Sequence, residues 1–229
     1  MFYYYGAKNQ LAKYYPNPSY NFIIEPFAGS AAYSVYHLNK NENLNALIIE
    51  KDKRVYDTWK YLLACSATDI INYPTPEIGE QTTDFLIMTC SVSNATSKCK
   101  SMKFTPRIAK VFGIQQQRIV RLIHISNRIE LVYGDYRDAK NIEATWFIDP
   151  PYQLDHKVTT KTVFPNGNGY SLSCNADKLD YNELSNFCQN RKGQCIVCEK
   201  NNANWLPFQQ FNTNKNSLNK IYKELIWIK

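Results

Sequence analysis

Asp149, Pro150, Pro151 and Tyr152 follow directly on the apolar run Ala144-Thr145-Trp146-Phe147-Ile148. An apolar strand that stops at an acid, two prolines and an aromatic sets a carboxylate, a rigid carbonyl and a flat ring on one lip of a sheet. That trio suits a planar amino group. The Asp149 carboxylate and the Pro150 carbonyl can accept both hydrogens of an exocyclic NH2, proline brings no donor of its own, and the tyrosine ring can stack on the heterocycle that carries the amine. A nucleobase is the natural candidate. Asp-Pro pairs also start ordinary turns after strands, so the motif takes its meaning from the rest of the chain.

A second stretch lies near the N-terminus. Asn21-Phe22-Ile23-Ile24 leads into Glu25-Pro26-Phe27-Ala28-Gly29-Ser30-Ala31-Ala32, followed by the helix-like Tyr33 to Leu38. Strand, small-residue turn and helix make a place where a ligand can approach the backbone closely at a helix N-terminus. About twenty residues on, Ala46-Leu47-Ile48-Ile49 ends in Glu50, with Asp52 two positions later. In a doubly wound sheet, an acid at the tip of the second strand can bond both ribose hydroxyls of an adenosine cofactor. Gly29 alone is an ordinary turn residue and Glu50 alone could cap a helix; their order and spacing point to a nucleotide cradle.

With these motifs in place, the chain resembles the Dam-like class of DNA adenine N6 methyltransferases, in particular the small single-domain forms carried by phages. The resemblance rests on Tyr4-Tyr5-Gly6-Ala7-Lys8, which matches the family's Tyr-x-Gly-x-Lys stretch, on Glu25-Pro26-Phe27-x-Gly29, and on the unchanged Asp149 to Tyr152. It implies that Tyr5, Gly6 and Lys8 lie beside an S-adenosylmethionine site. It also implies that Glu25, Pro26, Phe27, Gly29 and Ser30 hold the methionine portion, and that Glu50 is the acid of the second strand. Asp135, which follows the run Leu131-Val132-Tyr133-Gly134, matches the acid near the cofactor's adenine, with Tyr136 beside it as a further cofactor-site residue. Gly193 to Glu199 and Trp205-Leu206-Pro207-Phe208 are weaker points of similarity, so the resemblance spans nearly the whole chain. The implied reaction is methyl transfer from S-adenosylmethionine to the amino group of an adenine flipped out of double-stranded DNA, a reaction used in restriction-modification. RNA adenine, cytosine N4 and a glutamine amide are alternative planar amines, and a catalytically idle DNA-binding relative is another alternative. One departure stands out: many members carry a second glycine where this chain has Ala31, which is tolerable if Ala31 keeps a helical conformation.

Composition agrees with a compact enzyme. At 229 residues, 44% of them hydrophobic, the chain can bury one α/β core. No run approaches a membrane span and the aromatic start lacks a signal-peptide core, so the expected location is the cytoplasm of a bacterium or phage-infected host. Nothing in the sequence calls for an obligatory protein partner. Seven cysteines, an odd number among apolar runs, fit reduced thiols. Cys195 and Cys198 have metal-like spacing, yet they read as mid-strand residues without a histidine pair, so no metal is expected.

The net charge of +7 favours a phosphate-bearing partner. Between Ser91 and Glu130 the bases are Lys98, Lys100, Lys103, Arg107, Lys110, Arg118, Arg121 and Arg128, with Glu130 the sole acid. A solvated helix face explains such a run equally well. In the family, a chain with the cofactor motif first and the catalytic motif last carries its target-recognition region between them. That order implies residues 65–128 as a recognition insertion and 1–64 with 129–229 as the catalytic domain. The spacing over Ile108 to Ile123 predicts a helix with Arg and Gln opposite its apolar face. Arg and Gln are shaped to read base edges, so Gln115, Gln116, Arg118 and Arg121 are candidate DNA contacts beside Lys98, Lys100, Lys103 and Arg107. Ser93 to Lys103 reads as a polar loop, and Thr159 to Ser173 as a hairpin that is either a lid over the flipped base or merely exposed.

The elements that must position these residues form a doubly wound, mostly parallel sheet of the S-adenosylmethionine-dependent methyltransferase type. Strands are expected near 22–26, 45–50, 130–134, 144–149 and 194–199, with a C-terminal antiparallel hairpin over Asn219 to Ile228. Amphipathic helices are expected over Lys53 to Leu63 and Leu179 to Phe187, the latter opened by Asp177.

Overall fold

The computed structural model describes residues 8–90, 99, 101–153, 179–200, 202–215 and 221–229, the side chains of 212–223 excepted. Among these residues seven strands form one sheet: β1 Phe22–Glu25, β2 Asn45–Glu50, β3 Ile129–Tyr133, β4 Ala144–Ile148, β5 Gly193–Lys200, β6 Gln209–Lys215 and β7 Ile221–Ile228. Their order is β3-β2-β1-β4-β5-β7-β6. The first five run parallel, while β7 is antiparallel to both β5 and β6.

The central strands are strands because they are apolar on both faces, as a parallel sheet sandwiched between helices requires. Every residue of β4 is buried. Alternate side chains divide between two cores. Ile23, Ile48 and Phe147 pack with Trp59 and Leu62 on one side, while Ile24, Ile49, Trp146 and Ile148 pack with Leu184 and Cys188 on the other. Cys195 and Cys198 fall on these opposite sides of β5, so the two thiols do not converge.

Helix α1, Ala32–Leu38, follows β1. Helix α2, Lys53–Ala64, is capped by the Asp52 side chain, which accepts from the Arg54 N–H, and it buries Val55, Thr58, Trp59 and Leu62. Among the described residues three α-helices follow α2 before β3: α3 Ala67–Ile71, α4 Asp84–Cys90 and α5 Pro106–Leu122. Thr105 caps α5 and Pro106 opens it, the position where a missing N–H costs nothing. Phe85, Leu86, Met88, Phe112 and Ile119 of α4 and α5 belong to the same apolar cluster as Ile48 and Trp59. Helix α6, Tyr181–Gln189, is capped by Asp180, whose side chain accepts from Asn182 and Glu183. Asp177, the expected cap, lies outside the described residues.

The architecture is therefore the expected doubly wound, mostly parallel α/β sheet, with helices between β2 and β3 and an antiparallel C-terminal pair of strands. Neighbouring strand order reverses between β1 and β4. In such sheets the crevice outside the carboxyl ends at that reversal is where ligands bind. Glu25 and Asp149 stand on either side of it.

Candidate active site

The Asp149-Pro150-Pro151-Tyr152 motif leaves the carboxyl end of β4 and meets Lys8. The Lys8 Nζ lies 2.8 Å from an Asp149 carboxylate oxygen and 3.6 Å from Glu224 Oε1. It also sits 4.6 Å from the centre of the Tyr152 ring. Lys8 is held in place by its own backbone, since its carbonyl accepts from the N–H groups of Leu11 and Ala12 at 2.9 and 2.7 Å, opening a short 3-10 turn over Ala12–Tyr14.

Glu224 of β7 completes the cluster. Its Oε1 accepts from the Tyr15 hydroxyl at 2.8 Å and from the Tyr152 hydroxyl at 2.9 Å. Tyr15 is aimed at it by packing edge-on to Phe147 and stacked on Phe211, with ring centres 5.0 and 4.8 Å away. Burial alone would push the Lys8 ammonium toward neutrality, but the facing Asp149 and Glu224 outweigh it and hold Lys8 charged. Burial raises the Asp149 carboxyl above the usual carboxylate range, with Lys8 opposing the rise. Tyr181 donates to the Pro151 carbonyl at 2.7 Å, fixing the second proline. The segment beyond is tied down by Glu199 at the end of β5, which accepts from the Gln153 N–H and the Trp205 indole, each at 3.0 Å.

The glycine turn after β1 is built from its neighbours. Glu50 Oε2 accepts from the Gly29 N–H at 2.8 Å and Oε1 from the Asp52 N–H at 2.7 Å. Trp59 donates to the Gly29 carbonyl at 2.8 Å. Glu25 accepts from the Ser34 N–H at 2.5 Å. Burial pushes Glu25 up to about 8 and Glu50 up to about 7. Gly29 has φ 48° and Ala31 has φ 44°. Ala31 is thus left-handed at the start of α1, outside the helical conformation under which an alanine there is tolerable. An L-residue there carries strain of about 1–2 kcal/mol.

Several sequence-predicted residues stand elsewhere than expected. Glu50 is expected to face a ribose, yet both its oxygens are engaged with the backbone of the loop it supports. Among the described residues, Asp52 Oδ2 is instead a buried acceptor without a partner at the same strand tip. Tyr136 is buried, stacked on Phe27 at 5.2 Å and covered by the Arg137 guanidinium at 4.5 Å, so it is a core residue. Asp135 pairs with Lys51 at 2.8 Å and Arg137 at 2.7 Å; burial opposes ionisation, but these partners hold its carboxyl below the usual range. Pro26 and Ser30 are buried in the turn.

On α5, Gln115 is buried and Gln116 donates to the carbonyls of Ile70 and Ile71 at 2.9 and 3.2 Å. Both glutamines serve packing, contrary to the expectation that they face solvent. Lys103, Arg107, Lys110, Arg118 and Arg121 are exposed, and the last four, spaced three to eight residues apart, share one helix face. Arg128 is spent on the end of α1, donating to Leu38, Asn41 and Leu44 carbonyls. Tyr5, Gly6, Lys98, Lys100, most of the Ser93 to Lys103 loop and the Thr159 to Ser173 lid lie outside the described residues.

Sequence reasoning missed Glu224, Tyr15 and the bracing role of Glu199. For Glu224 a signal existed: in step with Ile226 at period two, it is a lone acid on the strand face that must be buried.

No protein-family model and no curated protein matches the chain. Among solved structures, yhhF from Escherichia coli, provisionally named a methyltransferase, is similar at 11% identity over 96% of this chain and 80% of that one, with a TM-score of 0.37. The mitomycin 7-O-methyltransferase MmcR is similar at 8% identity over 96% of this chain, with a TM-score of 0.40; the chain spans 52% of its length. Among the described residues no helix is long and apolar enough to cross a membrane.

Proposed function

We propose that the chain is an S-adenosylmethionine-dependent methyltransferase acting on the N6 amino group of adenine in DNA. The observation that carries this reading is the Asp149 to Tyr152 motif at the carboxyl end of β4, at the strand-order reversal, with its carboxylate paired to Lys8 at 2.8 Å. The turn after β1 suits the cofactor: Gly29 opens the backbone, and Asp52 Oδ2, without a partner among the described residues, is a ready acceptor for a ribose hydroxyl. Residues 25–30 and Asp52 would hold the cofactor, with Lys8 beside it. When bound, S-adenosylmethionine supplies an electrophilic methyl group.

The chain's own residues prepare the acceptor. Adenine's amino lone pair is drained into its ring, so the nitrogen must be made to localise it. Hydrogen bonds from the amino hydrogens to Asp149 and the Pro150 carbonyl favour the tetrahedral nitrogen of the transition state. Tyr152 offers its ring for stacking, worth about 1–3 kcal/mol in comparable sites. The exposed bases of α5 within 65–128 would meet the phosphate backbone of duplex DNA.

The test is incubation with labelled cofactor and unmethylated DNA, digestion to nucleosides and mass spectrometry. Labelled N6-methyldeoxyadenosine is the expected product. Label in another nucleoside or amide would move the substrate to a different planar amine, and no label with cofactor binding intact would mark an idle relative.

A further inference from the structure

We infer that Glu224 supplies the negative charge that Lys8 would otherwise cancel, so that the acceptor site keeps one net negative charge facing the cation that moves during transfer. This rests on the methyltransferase reading above. Paired with Lys8 alone, Asp149 would belong to a neutral couple, a poor stabiliser of a positively charged nitrogen. Glu224, 3.6 Å from the same ammonium, makes the described cluster one cation against two carboxylates. It is buried, with 2% exposure, so its field is weakly screened. Among the described residues its neighbours add no compensating charge: Tyr15 and Tyr152 donate neutral hydroxyls, burial keeps the Cys198 thiol protonated, and Glu25 at about 8 is largely neutral near pH 7.

The charge has a definite task. As the amino nitrogen's lone pair forms the new N–C bond, the C–S bonding pair stays on sulfur, which becomes a neutral thioether. The positive charge passes to nitrogen and is then lost as a proton, accepted by Asp149 and released to water. A cation is therefore present before and during transfer and absent afterwards. A site with net negative charge holds the reactants and transition state more firmly than the product cofactor.

Glu224→Gln tests this, because the amide oxygen can still accept from both tyrosines while the charge is lost. Calorimetric dissociation constants of S-adenosylmethionine, a sulfonium cation, and S-adenosylhomocysteine, its neutral thioether, are compared in both proteins, with melting temperature as a control for folding. The preference for the cation is expected to fall about tenfold in Glu224→Gln, with kcat reduced and KM for DNA little changed. An unchanged preference in Glu224→Gln overturns the inference even if DNA is methylated. A shifted preference in a protein that labels no DNA leaves it standing and overturns only the choice of substrate. If the wild-type protein binds neither ligand, both readings fall.

Discussion

Lys8 and Asp149 form an ion pair of 2.8 Å that joins the N-terminal motif to the Asp-Pro-Pro-Tyr motif. Lys8 is 6% exposed by side chain and Asp149 20%, so the pair is shielded enough to matter. Removing one partner of a buried pair typically costs about 3–5 kcal/mol.

The Lys8→Met variant should therefore be destabilised in a pH-dependent way. Burial already raises Asp149, and loss of Lys8 raises it further. A carboxyl whose folded pKa lies above its unfolded value contributes stability at low pH that is lost as pH rises through the folded value. The stability gap between variant and wild type should widen from pH 5 to pH 8 in urea titrations. A gap that narrows over that range would contradict the pairing.

The wild-type protein should itself lose stability toward alkaline pH. Glu25 at about 8 and Glu50 at about 7 are both raised by burial, so their contribution fades as pH passes from about 5 to 8 by the same sign rule. Glu25→Gln keeps an acceptor for the Ser34 N–H and should flatten the decline by roughly 1–3 kcal/mol between pH 6 and 9. Denaturation midpoints of both proteins across that range decide the matter; parallel curves would remove Glu25 from the account.

Ala31→Gly should stabilise the fold. Relief of left-handed strain, about 1–2 kcal/mol, exceeds the added freedom of glycine in the unfolded chain, about 0.5–1 kcal/mol. The melting temperature should rise by roughly 1–4 °C. Tighter cofactor binding should accompany it, since a rigid turn without a methyl leaves more room; a lower melting temperature would show that Ala31 is not strained.

On α5 the exposed and buried polar residues should separate cleanly. Arg118→Ala and Arg121→Ala should each weaken DNA binding and lower the slope of affinity against salt by about one, with little change in stability. Gln115→Ala, at a site with 2% exposure, should lower stability and leave the salt slope alone. Equal salt slopes for all three variants would remove this face from the DNA interface.

Much of this was legible in the sequence because the central strands are short apolar runs ending in chemistry. Phe22 to Glu25, Asn45 to Glu50 and Ala144 to Ile148 stand where the pattern puts them, and Lys53 to Ala64 is the helix its spacing predicts. What was hidden depends on partners distant in sequence. A sequence shows that Glu50 ends a strand; it does not show that Gly29 and Asp52 will claim both its oxygens. The period-three-and-four pattern of α5 gave the helix, but Gln115 fell inward because α5 packs on two sides, against α3 as well as α4, which widens the buried face beyond the aliphatic residues. Ala31 reads as a helix former, and only the closed turn forces it left-handed.

The antiparallel strand β7, slotted between β5 and β6, brings Glu224 to Tyr15 across 209 residues of chain. Without β7 the Asp149 to Tyr152 corner would lack its second carboxylate and the anchor for two tyrosine hydroxyls. The electrostatic setting of this corner thus rests on β7, and a chain cut short before β7 would carry the motif without it.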